Sequence, residues 1–409
     1  MPNRRLATTL ACAVMLVGSA AGATGAIAAP AQLPLSHRQA QNDRGALLDV
    51  AHLYTLKTRE AVTAELAKAG FDASQVRHGV DAYRLTYRTV DPQGRPTTAS
   101  GLVVLPRGPK GRLRAVSFAH GTGSHRSDAP SMQRASFLTG PPVAYAAAGF
   151  AAVAPDYLGM GEGPGLHPWM HVPSEATASL DLLRAARAFH ALDRKVFVTG
   201  FSQGASAALG LGRDLQAGED RYFRLGALAP VSGAYDFGGA ELPALLAGEL
   251  EGKSSVIYAA YTLVAFNRVH RVYDRAEDVF RDPAVETLFD GEHTGRQLFE
   301  GTPGTLGELL TPYGRDLLAH PRGGLADALR ETDGVCADWT PKAPVRLYMA
   351  SGDEQAATAN TAQCAEALRG RGVEATVVDL GAVDYQGSRH LGSNVRGTAE
   401  VLRWFEALS

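Results

Sequence analysis

The sequence predicts an α/β protein in which a mostly parallel sheet, covered by helices on both faces, is interrupted by an inserted helical cap. Two observations carry that expectation. Short apolar runs at 114–119, 150–154, 196–199, 225–231, 345–350 and 375–380 are separated by helix-like stretches, such as 175–192 with Ala176, Leu180, Leu183 and Ala186 on one face. Buried strands alternating with amphipathic helices build a parallel sheet between two helical layers. The alternation then stops between 238 and 342, where only helical stretches (242–250, 254–270) and Gly/Pro-rich connections occur. So long an interruption between two sheet strands reads as an inserted cap, or lid.

Composition agrees with an enzyme-sized globular chain. Of 409 residues 45% are hydrophobic, and 40 basic side chains balance 42 acidic ones, which excludes a disordered tail, a collagen-like polymer and a strongly basic nucleic-acid binder.

In chain order, Arg4 and Arg5 precede an apolar run and a small-residue stretch ending Ala26-Ile27-Ala28, the layout of a secretory signal peptide over 1–28. The run is shorter than the ~20 residues of a spanning helix, so no permanent membrane anchor is expected. Cys12 does not make a lipobox, because Thr9 stands where an aliphatic residue is needed. Export removes Cys12 and leaves Cys336 and Cys364 in a compartment that permits oxidation. That favours a disulfide over two free thiols, and two cysteines without a C-x-x-C are no zinc site. Residues 29–80 carry a helical stretch at 58–69 but no strand signal, and read as an N-terminal extension. At 81–90 Tyr83, Leu85 and Tyr87 alternate with polar neighbours, and after Asp91-Pro92-Gln93-Gly94 a second extended run follows at 99–105, the pattern of an antiparallel hairpin. The α/β core is expected to span 81–237 and 343–409, flanking the cap at 238–342. Within the cap, 256–266 is apolar nearly all round, which reads as a buried helix, with a lipid-facing lid as the alternative.

The chemistry concentrates at Gly200-Phe201-Ser202-Gln203-Gly204, between a strand and a helix-forming stretch. G-x-S-x-G in that setting is a nucleophile elbow, whose turn is too tight for bulk at the flanking positions. A serine hydroxyl needs a base, and the base needs an orienting acid. Asp353 ends the strand 345–350, and His390 is the only histidine after the last strand. The order Ser202, Asp353, His390 fits the triad of an α/β-hydrolase fold. Asp236, Glu354, Asp379 and Asp384 compete for the acid's place and read as solvated or capping groups. An oxyanion needs two donors. One is the N–H of Gln203; the other is assigned to Thr122 in His120-Gly121-Thr122-Gly123, with Gly121 as the neighbouring candidate and His120 as a structural residue pinning the loop.

Taken together, Ala119-His120-Gly121-Thr122, Pro155-Asp156-Tyr157-Leu158-Gly159, the elbow, Gly352-Asp353 and His390 resemble secreted α/β-hydrolases of the secretory-lipase type, including bacterial cell-wall-degrading esterases and fungal lipase A-like enzymes. The resemblance covers 80–409 and implies hydrolysis of a small-molecule, lipid or polymer ester without cofactor or metal, beneath a helical lid. It also makes Asp156 and Tyr157 a structural turn, while 166–171 reads as a packed loop at the pocket rim rather than a metal site. Nucleic acid is not an expected partner. Two other readings remain at this level: a serine peptidase or aminopeptidase on the same scaffold, and a non-catalytic binding protein that keeps the shape.

Overall fold

In the computed structural model the described residues are 43–409; the expected signal peptide at 1–28 and residues 29–42 of the expected extension lie outside them. Nine strands form one sheet: β1 (Leu47–Leu56), β2 (Val80–Val90), β3 (Pro96–Pro106), β4 (Leu113–Ala119), β5 (Ala151–Pro155), β6 (Leu192–Phe201), β7 (Arg224–Val231), β8 (Val345–Met349) and β9 (Ala375–Asp379). Their order is β1-β2-β3-β5-β4-β6-β7-β8-β9. The β1/β2, β2/β3 and β3/β5 pairs are antiparallel, and every pair from β5 to β9 is parallel. The β2–β3 hairpin turns where Asp91 N–H donates to the Arg95 carbonyl at 2.9 Å, as the Pro/Gly signal implies.

One element departs from the sequence expectation. Residues 47–56 form a sheet strand, not part of a strandless extension. Its pairing with β2 slips between Leu47 and Asp49 and again between His52 and Tyr54. Each slip shifts which side chains face inward, so the period-two pattern that would announce a strand is broken.

The parallel strands send alternate residues to opposite layers. Ala115, Val153, Val196 and Val198 face a core completed by α3 (Val172–Phe189) and α4 (Gln203–Ala217). Val116, Phe118, Ala152 and Phe197 face another completed by α1 (Arg59–Lys68), α2 (Gly140–Ala147) and the C-terminal helix α9 (Arg389–Ala407). Between β7 and β8 the described chain is helical, with α5 (Leu242–Ala247), α6 (Gly252–His270), α7 (Gly324–Asp333) and shorter turns. It carries its own cluster, including Phe237, Leu245, Val256, Leu263, Phe266, Leu317 and Leu325. Val256 to Phe266 is thus a buried helix face rather than a lipid-facing one. No helix among the described residues is long and apolar enough to cross a membrane.

Cys336, just past α7, is bonded to Cys364 of α8 (Thr358–Gly370), with their Cα atoms 5.2 Å apart. The bond ties the end of the inserted segment to the sheet's helical cover. On the chain-entropy model, a bridge spanning 28 residues stabilises by about 3–4 kcal/mol. Cys336→Ser with Cys364→Ser is expected to lose about that much in urea-unfolding free energy; a variant as stable as the parent would contradict the loop-closure account.

Candidate active site

Parallel strands put their carboxyl ends on one rim, and the register here aligns them closely. Gly200 pairs with Ala119, Phe201 with Val231, Val231 with Tyr348, and Met349 with Asp379. The segments leaving β4, β6, β8 and β9 therefore emerge side by side.

At the end of β6 the chain reverses directly into α4. Ser202 takes φ +56° and ψ −122°, a region that non-glycine residues avoid unless their surroundings enforce it. Its N–H donates to the Val231 carbonyl at 2.9 Å and its own carbonyl accepts from Ala205. A Cβ at Gly200 would collide with the Gly204 carbonyl, and one at Gly204 with that of Ala119. This close approach is what lets the turn form, and it leaves the Ser202 hydroxyl projecting above the rim.

His390, in the first turn of α9, and Asp353, after β8, meet that hydroxyl. The two side chains are each 2% exposed. His390 Nδ1–H donates to Asp353 at 3.0 Å (Oδ1) and 2.9 Å (Oδ2). Asp353 Oδ1 also accepts from the N–H groups of Gln355 and Ala356. With its proton at Nδ1, the imidazole offers Nε2 as acceptor, and Ser202 Oγ–H lies 2.9 Å from it. Burial alone would lower the imidazole pKa. The charge and hydrogen bond of Asp353 outweigh it, with Glu241 and Glu354 adding to them, and hold His390 above its ordinary value. Burial likewise pushes Asp353 up, yet His390 and the two backbone donors hold it below the ordinary carboxylate range.

The competing carboxylates are otherwise engaged. Asp236 accepts from Gly239 N–H, Asp379 from the N–H groups of Ser351 and Gly381, and Asp384 from that of Gly387. Glu354 is the instructive one. It accepts from Arg389 N–H at 3.1 Å, His390 N–H at 3.3 Å and the Ser388 hydroxyl, so it caps the helix that carries His390.

For the expected oxyanion donors, Gln203 is the first residue of α4 and Thr122 lies in the loop after β4. Neither main-chain N–H has an acceptor among the described residues. The loop runs directly beside Ser202, since a Cβ at Gly121 would sit 3.4 Å from Ser202 Cβ. His120 is fully buried, with Nδ1–H donating to the Gly121 carbonyl at 2.7 Å, and burial pushes its pKa down to about 4. Tyr157 OH donates to the His120 carbonyl, and Asp156 accepts from Ser100 Oγ and Ser131 N–H. Both pin the loop base.

Trp169 and His171 lie in the loop read at 166–171, and the other contributors have no signal in the sequence. Trp169 Nε1–H donates to Thr122 Oγ1 at 2.9 Å and its ring stacks on Tyr261 of α6, centroids 4.7 Å apart. Tyr261 OH donates to the Gly123 carbonyl, and Tyr258 OH to Gln355 Oε1. The α6 helix is thereby fastened to both loops that flank Ser202. Glu241, buried and pushed up to about 7 by that burial, accepts from Ala357 N–H and Asn360 Nδ2–H and so steadies the segment after Asp353. His171, His270 and Glu331 converge where α3 meets the inserted helices. His171 Nδ1 accepts from Ser174 N–H, so its neutral ring carries the proton on Nε2 and donates it to Glu331 at 3.2 Å. Apart from the Ser174–His171 bond, these contacts join residues at least 47 positions apart, so they arise only when the chain packs.

By fold the chain is an α/β-hydrolase, and its structural likeness runs to esterases and lipases. The rice cell wall degrading esterase LipA from Xanthomonas oryzae superposes with a TM-score of 0.77 at 26% identity, over 89% of this chain and 98% of that one. A Legionella pneumophila protein gives 0.77 at 23% identity over 88% and 98%. Candida antarctica lipase A in its closed state gives 0.63 at 16% over 89% and 82%. No protein-family model and no curated protein sequence matches the chain. The resemblance read from the motifs is thus borne out at the level of structure.

The cap on α9 yields a direct test. Glu354→Ala removes the acceptor of two N–H groups in its first turn and is expected to lower unfolding free energy by about 1–2 kcal/mol in urea titration. Unchanged stability would mean that Ser388, whose hydroxyl accepts from Leu391 N–H, suffices alone.

Proposed function

We propose that the protein is a secreted serine hydrolase that cleaves carboxylic esters through an acyl-enzyme intermediate. The observation that carries the reading is the directional chain from Ser202 Oγ–H to His390 Nε2 and from Nδ1–H to Asp353, starting from a serine in a strained turn. Likeness to an esterase at 26% identity supports the substrate class. The N-terminal pattern at 1–28 and the disulfide support export.

In this mechanism Ser202 Oγ attacks the ester carbonyl carbon while its proton passes to His390 Nε2. Asp353 keeps the ring oriented and stabilises the imidazolium. The N–H groups of Gln203 and Thr122 receive the oxyanion. Collapse of the tetrahedral adduct breaks the bond to the alcohol oxygen, which leaves with the His390 proton. Water then gives its proton to His390 and attacks the acyl carbon, releasing the acid and restoring Ser202. The segment 238–342 acts as a cap over the acyl site.

His390 must be neutral to accept the proton, so kcat/KM falls as pH drops through its pKa. Because the geometry holds that pKa up, the acid limb on a nitrophenyl ester is expected to lie above about 6.5, the ordinary histidine value. Asp353→Asn is expected to lower the rate by about 10³–10⁴-fold and move the limb downward, and Ser202→Ala to abolish turnover. A flat acid limb to pH 4, or a faster rate on an aminoacyl anilide than on the matched ester, would contradict the proposal.

A further inference from the structure

Next to the nucleophile, Gln203 is 2% exposed, an unusual place for an amide side chain that has no substrate to meet. Its Nε2 group is held from two sides. One N–H donates to Glu175 Oε1 at 2.6 Å and the other to His167 Nε2 at 2.9 Å. The direction of each bond is fixed by the next group along. His167 Nδ1–H donates to the Leu158 carbonyl at 3.0 Å, which leaves Nε2 as a lone-pair acceptor and obliges Gln203 to present its amide nitrogen rather than its oxygen. Burial pushes His167 down to about 3 and Glu175 up to about 8, which favours the uncharged form of each near neutral pH. The cluster holds a carboxyl, an amide and an imidazole without net charge.

Its placement links distant elements to one atom. Glu175 sits in α3, packed against α4, and His167 in the loop leading into α3. Gln203 opens α4, and its main-chain N–H is one covalent unit from Ser202. Gln203 Oε1 has no partner among the described residues. A site that keeps an unpaired buried oxygen does so against stability, and such an exception calls for a functional explanation.

We propose that Glu175 and His167 are positioning residues which clamp the Gln203 side chain and thereby fix its main-chain N–H at the oxyanion position. The inference rests on the ester-hydrolase reading above. A donor that is off its ideal position loses transition-state stabilisation while leaving substrate binding intact, so the signature is a kcat effect. Glu175→Gln keeps a neutral oxygen acceptor and is expected to retain activity within about 3-fold. Glu175→Ala is expected to lose about 10–100-fold in kcat on a nitrophenyl ester, with KM unchanged within about 3-fold, because removing an oxyanion donor outright costs about 10²–10³-fold. The inhibition constant of phenylboronic acid, whose tetrahedral adduct places an oxygen at the oxyanion position, should weaken by a similar factor. Gln203→Met retains the main-chain N–H but not the clamp, and should reproduce the loss; the double variant should lose no more than either single one. If Glu175→Ala does not fold, the Gln203→Met kinetics decide alone. Wild-type kcat and boronate affinity in Gln203→Met, or a loss confined to KM, would overturn the proposal while leaving the hydrolase reading intact. Absence of ester hydrolysis by the parent protein would overturn the underlying reading itself.

Discussion

The structure depends on one tight reversal of the chain. Ser202 is held at a positive φ because β6 stops and α4 starts without a connecting loop. That junction needs glycine at 200 and 204, because the carbonyls of Gly204 and Ala119 occupy the space where side chains there would stand. The strain is local, and a central strand with a helix packed on it supplies the rigidity that sustains it. Everything else at the site is arranged around where this turn leaves the hydroxyl.

Two levels of support converge there. The sheet aligns the exits of β4, β6, β8 and β9 on one rim, so residues 120–123, 202, 353 and 390 become neighbours although they are spread over 270 positions of sequence. Hydrogen bonds then fix each exit. Glu354 caps the helix that begins with His390, Glu241 holds the stretch after Asp353, and Tyr261 with Trp169 holds the loop at Thr122. Most of these supports come from the inserted segment or from the loop beneath it. The inserted segment is therefore a structural part of the rim.

What could be read from the sequence follows from how locally each feature is encoded. The strands of the parallel core are continuous apolar runs, and eight of the nine emerge within a few residues of the expected positions. The ninth, β1, lies at an edge and its register slips hide the alternation. The α2 helix gives no rhythm of its own in the sequence for the opposite reason: all eight of its residues are buried, so it has no polar face to mark a 3.6-residue period. The side chains of Ser202, Asp353 and His390 were legible because each ends a strand or opens a helix in a recognisable order. Glu175, His167 and Tyr261 were not, since their meaning arises only when α3, α4 and α6 pack. Glu354 was weighed as a rival acid, and one residue of offset from Asp353 turns it toward the helix terminus instead.

The central claim is that Ser202 is an activated nucleophile in the folded protein. The most direct measurement is labelling with a fluorophosphonate probe followed by peptide mass mapping. The account predicts one probe per chain, on the peptide containing Ser202, with labelling lost on unfolding and in His390→Ala. A folded protein that takes no probe, or takes it on a different serine, would contradict it.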